Sequence, residues 1–125
     1  MDYEVSVSKQ QNYILIKLNT PMTIDLGRRC GRDAVELGRR HDIKRYLFDV
    51  RGAPNIEPIL SNYEFAYRDL EQFEFPKGSQ SALLTDPDDR SHDFMETLFL
   101  NAGYYVRLFT DEQAAIAWLE ANQIT

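Results

Sequence analysis

The chain begins with apolar and polar residues that alternate with a period of two. Tyr3, Val5 and Val7 alternate with polar neighbours, a pattern that predicts a strand with one buried face. Residues 9–12 are polar and predict a turn, and the Ile- and Leu-rich segment 13–18 predicts a second strand. Two strands connected this closely are expected to pair as an antiparallel hairpin.

A helical period follows the hairpin. Thr23 can cap a helix that extends to about His41, in which the apolar residues recur at spacings of four, four and three: Leu26, Cys30, Ala34 and Leu37. This helix also contains Gly27, Gly31 and Gly38. Because glycine weakens a helix interior, we expect these glycines to permit close packing against a sheet.

The rest of the chain alternates between strands and helices. The apolar segment 45–50 predicts a buried strand, and the capping box formed by Ser61 and Glu64 predicts a helix that ends by Phe75. Residues 80–85 predict a fourth strand, and Asp86 is expected to cap a helix that stops at Gly103. Residues 104–109 predict the last strand, and Thr110 is expected to cap a terminal helix.

These elements predict an α/β protein in the order ββαβαβαβα. We expect residues 1–125 to form a single domain around a mixed, mostly parallel five-stranded sheet with about four helices. Hydrophobic residues make up 43% of the sequence, which is typical of an ordinary globular protein and does not suggest disorder. The net charge of −6 disfavours binding to nucleic acid.

The amino terminus lacks the pattern of a signal peptide, and no apolar run is long enough to span a bilayer, so a cytoplasmic location without membrane insertion is expected. Cys30 is the single cysteine, which excludes an internal disulfide and a cysteine-based zinc site. We interpret Cys30 as a small buried side chain and expect no cofactor.

The loop after the third strand is the best candidate for a functional site. Ligands gather at the carboxyl ends of strands in open α/β sheets, and this loop is the longest irregular segment away from the termini. Its candidate partner-binding residues are Asp49, Arg51, Gly52, Asn55, Glu57 and Ser61. Ser61 is also a candidate phosphorylation site, because a phosphate at a helix start gains from the positive helix end; the alternative is a purely capping role.

The closing segment 101–119, with its pattern G-Y-x-V-R-x-F followed by D-E-x-A-x-x-W-L, and the strand ending FDVRG resemble a known family. They are similar to the sporulation anti-sigma-factor-antagonist-like branch of STAS domains. The resemblance implies a STAS-like fold, similar also to the lipid-binding CRAL-TRIO core. It also implies a protein partner such as a kinase or an anti-sigma-like factor. In this family a serine is phosphorylated at a helix start, and here Pro58 and Ile59 occupy the serine positions.

Other clusters have two interpretations each. Arg28, Arg29 and Arg32 form a basic stripe, which is either a solvated helix face or an interface with an acidic partner or a second copy. An acidic cluster either caps a helix or binds a divalent cation; it contains Asp86, Asp88, Asp89, Asp93 and Glu96. The aromatic residues of segment 63–75 either pack in the core or line an apolar pocket for a lipid.

The motifs do not assemble a catalytic site. Ser91, His92 and Asp93 have the composition of a hydrolase triad, but neighbours in a helix point about 100° apart. We expect both histidines, His41 and His92, to be surface residues.

The sequence therefore favours a non-enzymatic regulatory module that docks a partner protein through the loop and helix after the third strand. The alternative is a carrier of a small apolar ligand.

Overall fold

The computed structural model describes residues 2–56, 64, 67, 68, 76 and 78–121. Within these residues the chain forms five strands and three helices. The strands are β1 (Tyr3–Val7), β2 (Ile14–Leu18), β3 (Arg45–Asp49), β4 (Gln80–Leu84) and β5 (Tyr105–Phe109). The helices are α1 (Ile24–His41), α2 (Asp93–Asn101) and α3 (Glu112–Ala121).

All five strands belong to one mixed sheet in the order β1-β2-β3-β4-β5. Strands β1 and β2 pair antiparallel, and the next three pairs are parallel. The α/β class, the leading hairpin and the five-stranded mixed sheet are therefore confirmed. The helix predicted from Ser61 to Phe75 falls almost entirely outside the described residues.

Alternation along the strands places two apolar clusters on opposite faces of the sheet. One cluster joins Ile14, Tyr46 and Leu83 to α1 and to Met95 of α2. The other joins Leu47 and Leu84 to α3. The described part of the molecule is therefore a three-layer arrangement, as expected when parallel strands alternate with helices. Among the described residues, no helix is both long enough and apolar enough to cross a membrane.

The predicted start and end of α1 are confirmed. The Thr23 hydroxyl accepts a hydrogen bond from the Leu26 N–H at 3.1 Å, as a helix cap does. Asp42 adopts a left-handed conformation after the last turn. Cys30 is a free, buried thiol, as predicted, and burial raises its pKa to about 12.

Two predicted caps are wrong. Helix α2 begins at Asp93, seven residues after Asp86, because the Asp86 carboxylate accepts a hydrogen bond from the Gly52 N–H instead. Helix α3 is capped one residue later than predicted, since Asp111 rather than Thr110 accepts the hydrogen bond from the Ala114 N–H. At the first place a long-range contact engages the predicted cap, and at the second two neighbouring residues can both cap and the local geometry selects Asp111.

Candidate functional site

The predicted loop lies at the carboxyl edge of the parallel sheet. β3 ends at Asp49, and the chain then turns so that the Ala53 N–H donates to the Val50 carbonyl at 3.0 Å. Gly52 is the third residue of this turn and has a φ of 74°, which side-chain-bearing residues rarely adopt. Asp49, Arg51, Gly52 and Asn55 therefore lie together, whereas Glu57 and Ser61 lie outside the described residues.

Asp49 and Arg51 form a bidentate ion pair at the start of this loop. The Arg51 Nε lies 2.9 Å from one Asp49 carboxylate oxygen, and a terminal guanidinium nitrogen lies 2.8 Å from the other. Lys17 lies 3.7 Å from the same carboxylate, and Glu112 lies 3.2 Å from the terminal guanidinium nitrogen that also binds Asp49. The ion pair is thus part of a network that joins β2, β3 and α3.

The network determines which of the two charges a partner can contact. The side chain of Asp49 is only 9% exposed, whereas that of Arg51 is 38% exposed. Burial opposes ionisation of Asp49, but hydrogen bonds from the Arg51 side chain and backbone outweigh it, so the pKa of Asp49 lies below its ordinary value. The same pairing raises the pKa of Arg51. Asp49 therefore positions the guanidinium, and Arg51 is the group presented at the surface.

Three hydrogen bonds join this loop to the loop between β4 and α2. The Gly52 N–H donates to Asp86 at 2.7 Å, and the Asn55 N–H donates to the Ser91 hydroxyl at 2.8 Å. The third bond joins His92 Nε2 to the Ala53 carbonyl at 2.9 Å. A carbonyl oxygen only accepts, so Nε2 carries the hydrogen.

The prediction that His92 is a surface residue is wrong, since it is 1% exposed. The Ala53 carbonyl binds the Nε2 of the ring, which lowers the cost of burying this polar side chain. His41, by contrast, is exposed. Sequence reasoning also missed that Asp86 and Ser91 accept hydrogen bonds from the loop. These acceptors lie 34 and 36 residues from the N–H groups that they bind, and a local sequence pattern does not predict a contact over that separation.

The same loop is held on a second side by the segment before α1. The Met22 N–H donates to the Pro54 carbonyl at 2.8 Å, and the Ile56 N–H donates to the Met22 carbonyl at 3.1 Å. The backbone of the loop is therefore held on one side by side chains of the segment after β4 and on the other by the backbone of Met22. Ile56 is nevertheless 63% exposed.

The acidic segment after β4 is structured by its own side chains. Asp89 accepts hydrogen bonds from both the backbone and the hydroxyl of Ser91. Burial opposes ionisation of Asp89, but these two bonds outweigh it and lower its pKa. Since the Ser91 hydroxyl binds Asp89 and the His92 ring binds Ala53, the Ser91-His92-Asp93 sequence does not form a relay. In the ranges that the structure describes, no group of three His, Cys, Asp or Glu side chains could hold a metal ion.

The basic stripe on α1 is partly engaged within the chain. Arg29 lies 3.1 Å from Asp25 and 3.4 Å from Asp2, and its guanidinium lies over the ring of Tyr3. Arg28 and Arg32 are exposed. An interface formed by Arg28, Arg29 and Arg32 stays a prediction.

An apolar cavity lies between the sheet and the two helices α1 and α2. Its volume is about 40 Å³. Its walls include Cys30, Phe48, Leu83, Met95, Phe99 and Tyr104. Pockets for drug-sized ligands measure about 300–1,000 Å³, so this cavity has room for a few water-sized molecules and not for a lipid chain. The aromatic segment 63–75 lies outside the described residues except for Glu64, Tyr67 and Arg68, and lipid carriage stays a prediction.

Comparison of the chain with protein-family models, with curated proteins and with solved structures gave no match in any of the three. The resemblance to STAS domains therefore rests on the residue patterns alone.

Proposed function

We propose that this chain is a non-enzymatic regulatory module that binds a partner protein through the docking loop, residues 50–56 at the carboxyl edge of the sheet. The regulatory role and the STAS-like architecture are taken from the resemblance, and the fourth helix between β3 and β4 is the one predicted from the capping box of Ser61 and Glu64. A kinase or an anti-sigma-like factor is the partner that the resemblance implies. Phosphorylation of Ser61 belongs to the same proposal, and mass spectrometry of protein isolated from its own cells tests it.

The observation that carries the proposal is an exposed isoleucine on a loop with a fixed backbone. Ile56 is 63% exposed, while its own N–H and the Pro54 carbonyl are both bonded to Met22. Binding costs less conformational entropy when the contact residue is already ordered. An apolar side chain held in water by an ordered backbone is therefore suited to insertion into a partner's pocket.

Arg51 adds a polar contact on the same loop as Ile56. Its guanidinium is oriented by Asp49 and Glu112, and its side chain is 38% exposed. Arginine is enriched among the residues that contribute most to binding at protein interfaces. A charged fork and an apolar side chain on one loop can give the docking loop both affinity and orientation.

Capture of partners from the source cells by immobilised protein tests the proposal. We expect one protein to bind stoichiometrically to the wild type, and Ile56→Asp to abolish its capture without lowering the melting temperature, because Ile56 is mostly exposed. Leu100→Asp is the matched control, since Leu100 is 47% exposed and lies at the carboxyl end of α2, at the opposite edge of the sheet.

Equal capture by wild type, Ile56→Asp and Leu100→Asp would place the interface elsewhere.

A second copy of the chain is the other partner to consider, and sedimentation velocity tests for it. If the basic stripe is the interface between copies, Arg28→Glu with Arg32→Glu should abolish self-association, and an unchanged profile would reject the stripe.

A further inference from the structure

The first strand lies at one lateral edge of the sheet. Within the described residues β1 pairs with β2 and with no other strand. The pairing is continuous over all five residues, from Tyr3 with Leu18 to Val7 with Ile14, so β1 has no bulge. The strand also contains no proline and no lysine. It therefore lacks several of the features that prevent an edge strand from pairing with another chain.

The hydrogen bonds of the hairpin show which backbone groups of β1 face outward. The Asn19 N–H donates to the Asp2 carbonyl, and the Ser8 N–H donates to the Tyr13 carbonyl, both at 2.9 Å. Bonding alternates residue by residue along an antiparallel pair, so the even-numbered residues of β1 bond to β2. The N–H and C=O groups of the odd-numbered residues therefore point away from β2, without a partner in the described part of the chain: Tyr3, Val5 and Val7.

The opposite edge of the sheet is protected. β5 is the outer strand there, and the Phe109 carbonyl faces β4, since it accepts a hydrogen bond from the Thr85 N–H. The neighbouring Leu108 N–H faces outward and donates to the Glu96 carboxylate at 2.7 Å. A side chain of α2 thus occupies a group that an added strand would need. Pairing of β1 with β5 of another copy, which would build an open fibre, is therefore disfavoured.

The outer side of β1 is complementary to itself. When two copies of β1 pair antiparallel about a two-fold axis at Val5, Val5 faces its own copy and Tyr3 faces Val7. All of these residues have outward backbone groups, so each pair can exchange two hydrogen bonds. Glu4 then faces Ser6, which keeps like charges apart. An axis at Glu4 would instead oppose two carboxylates, and an axis at Ser6 would leave Tyr3 outside the paired strands.

The same arrangement covers apolar surface and brings opposite charges together. Tyr3, Val5 and Val7 are half-buried and pack against the core beneath α1, and the added strand would cover them further. α1 runs in the same direction as β1, because β2 runs opposite to β1 and α1 returns the chain from the end of β2 to the start of β3. Two-fold symmetry therefore makes the two α1 helices antiparallel. Asp33 and Arg40 both line the groove between β1 and α1, so Arg40 of one copy comes toward Asp33 of the other.

We propose that two copies of this chain form a symmetric dimer in which the two β1 strands pair antiparallel about Val5. The two five-stranded sheets then become one continuous sheet. A closed two-fold pair is the commonest form of soluble oligomer, and it removes the exposed edge of both copies at once. The docking loop follows β3, and β2 separates β3 from this interface, so the dimer presents two copies of the docking loop.

Sedimentation velocity over a range of protein concentrations tests for the dimer. We expect a monomer–dimer equilibrium for the wild type. Val5→Pro should abolish it, because proline removes an N–H that faces outward and leaves the hydrogen bonds to β2 intact. Val5→Ala is the matched control: it also shortens the side chain but keeps the N–H, so it should still form the dimer. Circular dichroism checks that both variants are folded.

Charge changes at Ser6 test the register and leave the backbone as it is. Ser6 faces Glu4 of the other copy twice in the dimer, so Ser6→Glu should raise the dissociation constant roughly tenfold and Ser6→Lys should lower it by about as much. Asp88→Asn is the matched control for the lysine variant. It changes the net charge by the same amount, but Asp88 is exposed on the loop after β4 and should leave the dissociation constant unchanged.

A monomer at every concentration would overturn the proposal. Equal responses to Ser6→Lys and Asp88→Asn would also overturn it, since diffuse charge rather than the register would then control association. A dimer that persists in folded Val5→Pro but is lost in Arg28→Glu with Arg32→Glu would assign the interface to the basic stripe instead. If Val5→Pro did not fold, the Ser6 variants would decide the matter alone. Partner capture is scored separately with Ile56→Asp, so this proposal and the proposed function can each fail without the other.

Discussion

Replacing Gly38 by alanine should destabilise the fold, although alanine is the better helix former. Gly38 lies in the last turn of α1, where the chain bends back toward β3. A Cβ atom built there would lie 2.7 Å from the Ile43 carbonyl oxygen and 2.9 Å from the Tyr46 hydroxyl. Neither neighbour moves easily: the carbonyl is backbone, and Tyr46 is 1% exposed. The added methyl group must therefore displace the turn or the tyrosine.

The expected size of the effect is the difference between two opposing contributions. Alanine in place of glycine favours a helix by up to about 1 kcal/mol, whereas an extra carbon in a packed site costs about 1–3 kcal/mol. Contact with backbone places the cost near its upper end, so the free energy of unfolding should fall by about 1–2 kcal/mol. Urea unfolding followed by circular dichroism measures this change, and the melting temperature should fall by roughly 5 °C.

Gly78→Ala is the matched control. Among the described residues, no atom other than those of Gly78 and its chain neighbours lies within 4 Å of the Cβ position at Gly78, and its φ is not positive. The same substitution should therefore be neutral or stabilise by about 0.5 kcal/mol. If Gly38→Ala proved as stable as Gly78→Ala, the close approach between α1 and β3 would not restrict this position, and the packing argument would fail.

Three further changes test the site and the core. Gly52→Ala should lower the free energy of unfolding by about 1–2 kcal/mol through backbone strain alone, because space is open there but φ is 74°; an unchanged urea midpoint would contradict this. The pKa of Asp49 is lower in the folded state than its ordinary value of 3.8, so the ionised carboxylate stabilises the fold at any pH above 3.8. This stabilisation is lost as the pH falls through the folded-state pKa. Wild type should therefore lose more stability than Asp49→Asn between about pH 6 and pH 3 in parallel unfolding curves, and identical pH dependence would reject the coupling. The Cys30 thiol, whose pKa is raised to about 12, should react with a thiol reagent at neutral pH only on unfolding, and rapid labelling of native protein would disprove its burial.

The parts of the fold that could be predicted from sequence are those decided by neighbours along the chain. Alternation at Tyr3, Val5 and Val7 predicts β1 because a strand's faces are set residue by residue. Thr23 predicts the start of α1 because its hydroxyl reaches an N–H three residues away. The position of the candidate loop was also predictable, since it depends only on where a buried strand ends.

The parts that could not be predicted are decided by groups far apart in the sequence. Asp86 followed by proline has the local features of a helix start. The Gly52 N–H, 34 residues earlier, instead donates a hydrogen bond to the Asp86 carboxylate. His92 stands among acidic residues and suggests a surface position, but the Ala53 carbonyl, 39 residues earlier, permits its burial. Tertiary contacts thus override a capping preference at Asp86 and an expected surface position at His92.

The docking loop is supported by a chain of hydrogen bonds that reaches the segment after β4. The Asn55 N–H donates to the Ser91 hydroxyl, and the hydroxyl donates to one carboxylate oxygen of Asp89. The Ser91 N–H donates to the same oxygen, so two bonds hold Ser91 against the carboxylate. Because a hydroxyl that donates to a carboxylate becomes a stronger acceptor, Asp89 supports the backbone of the docking loop through Ser91, although it does not contact that loop itself.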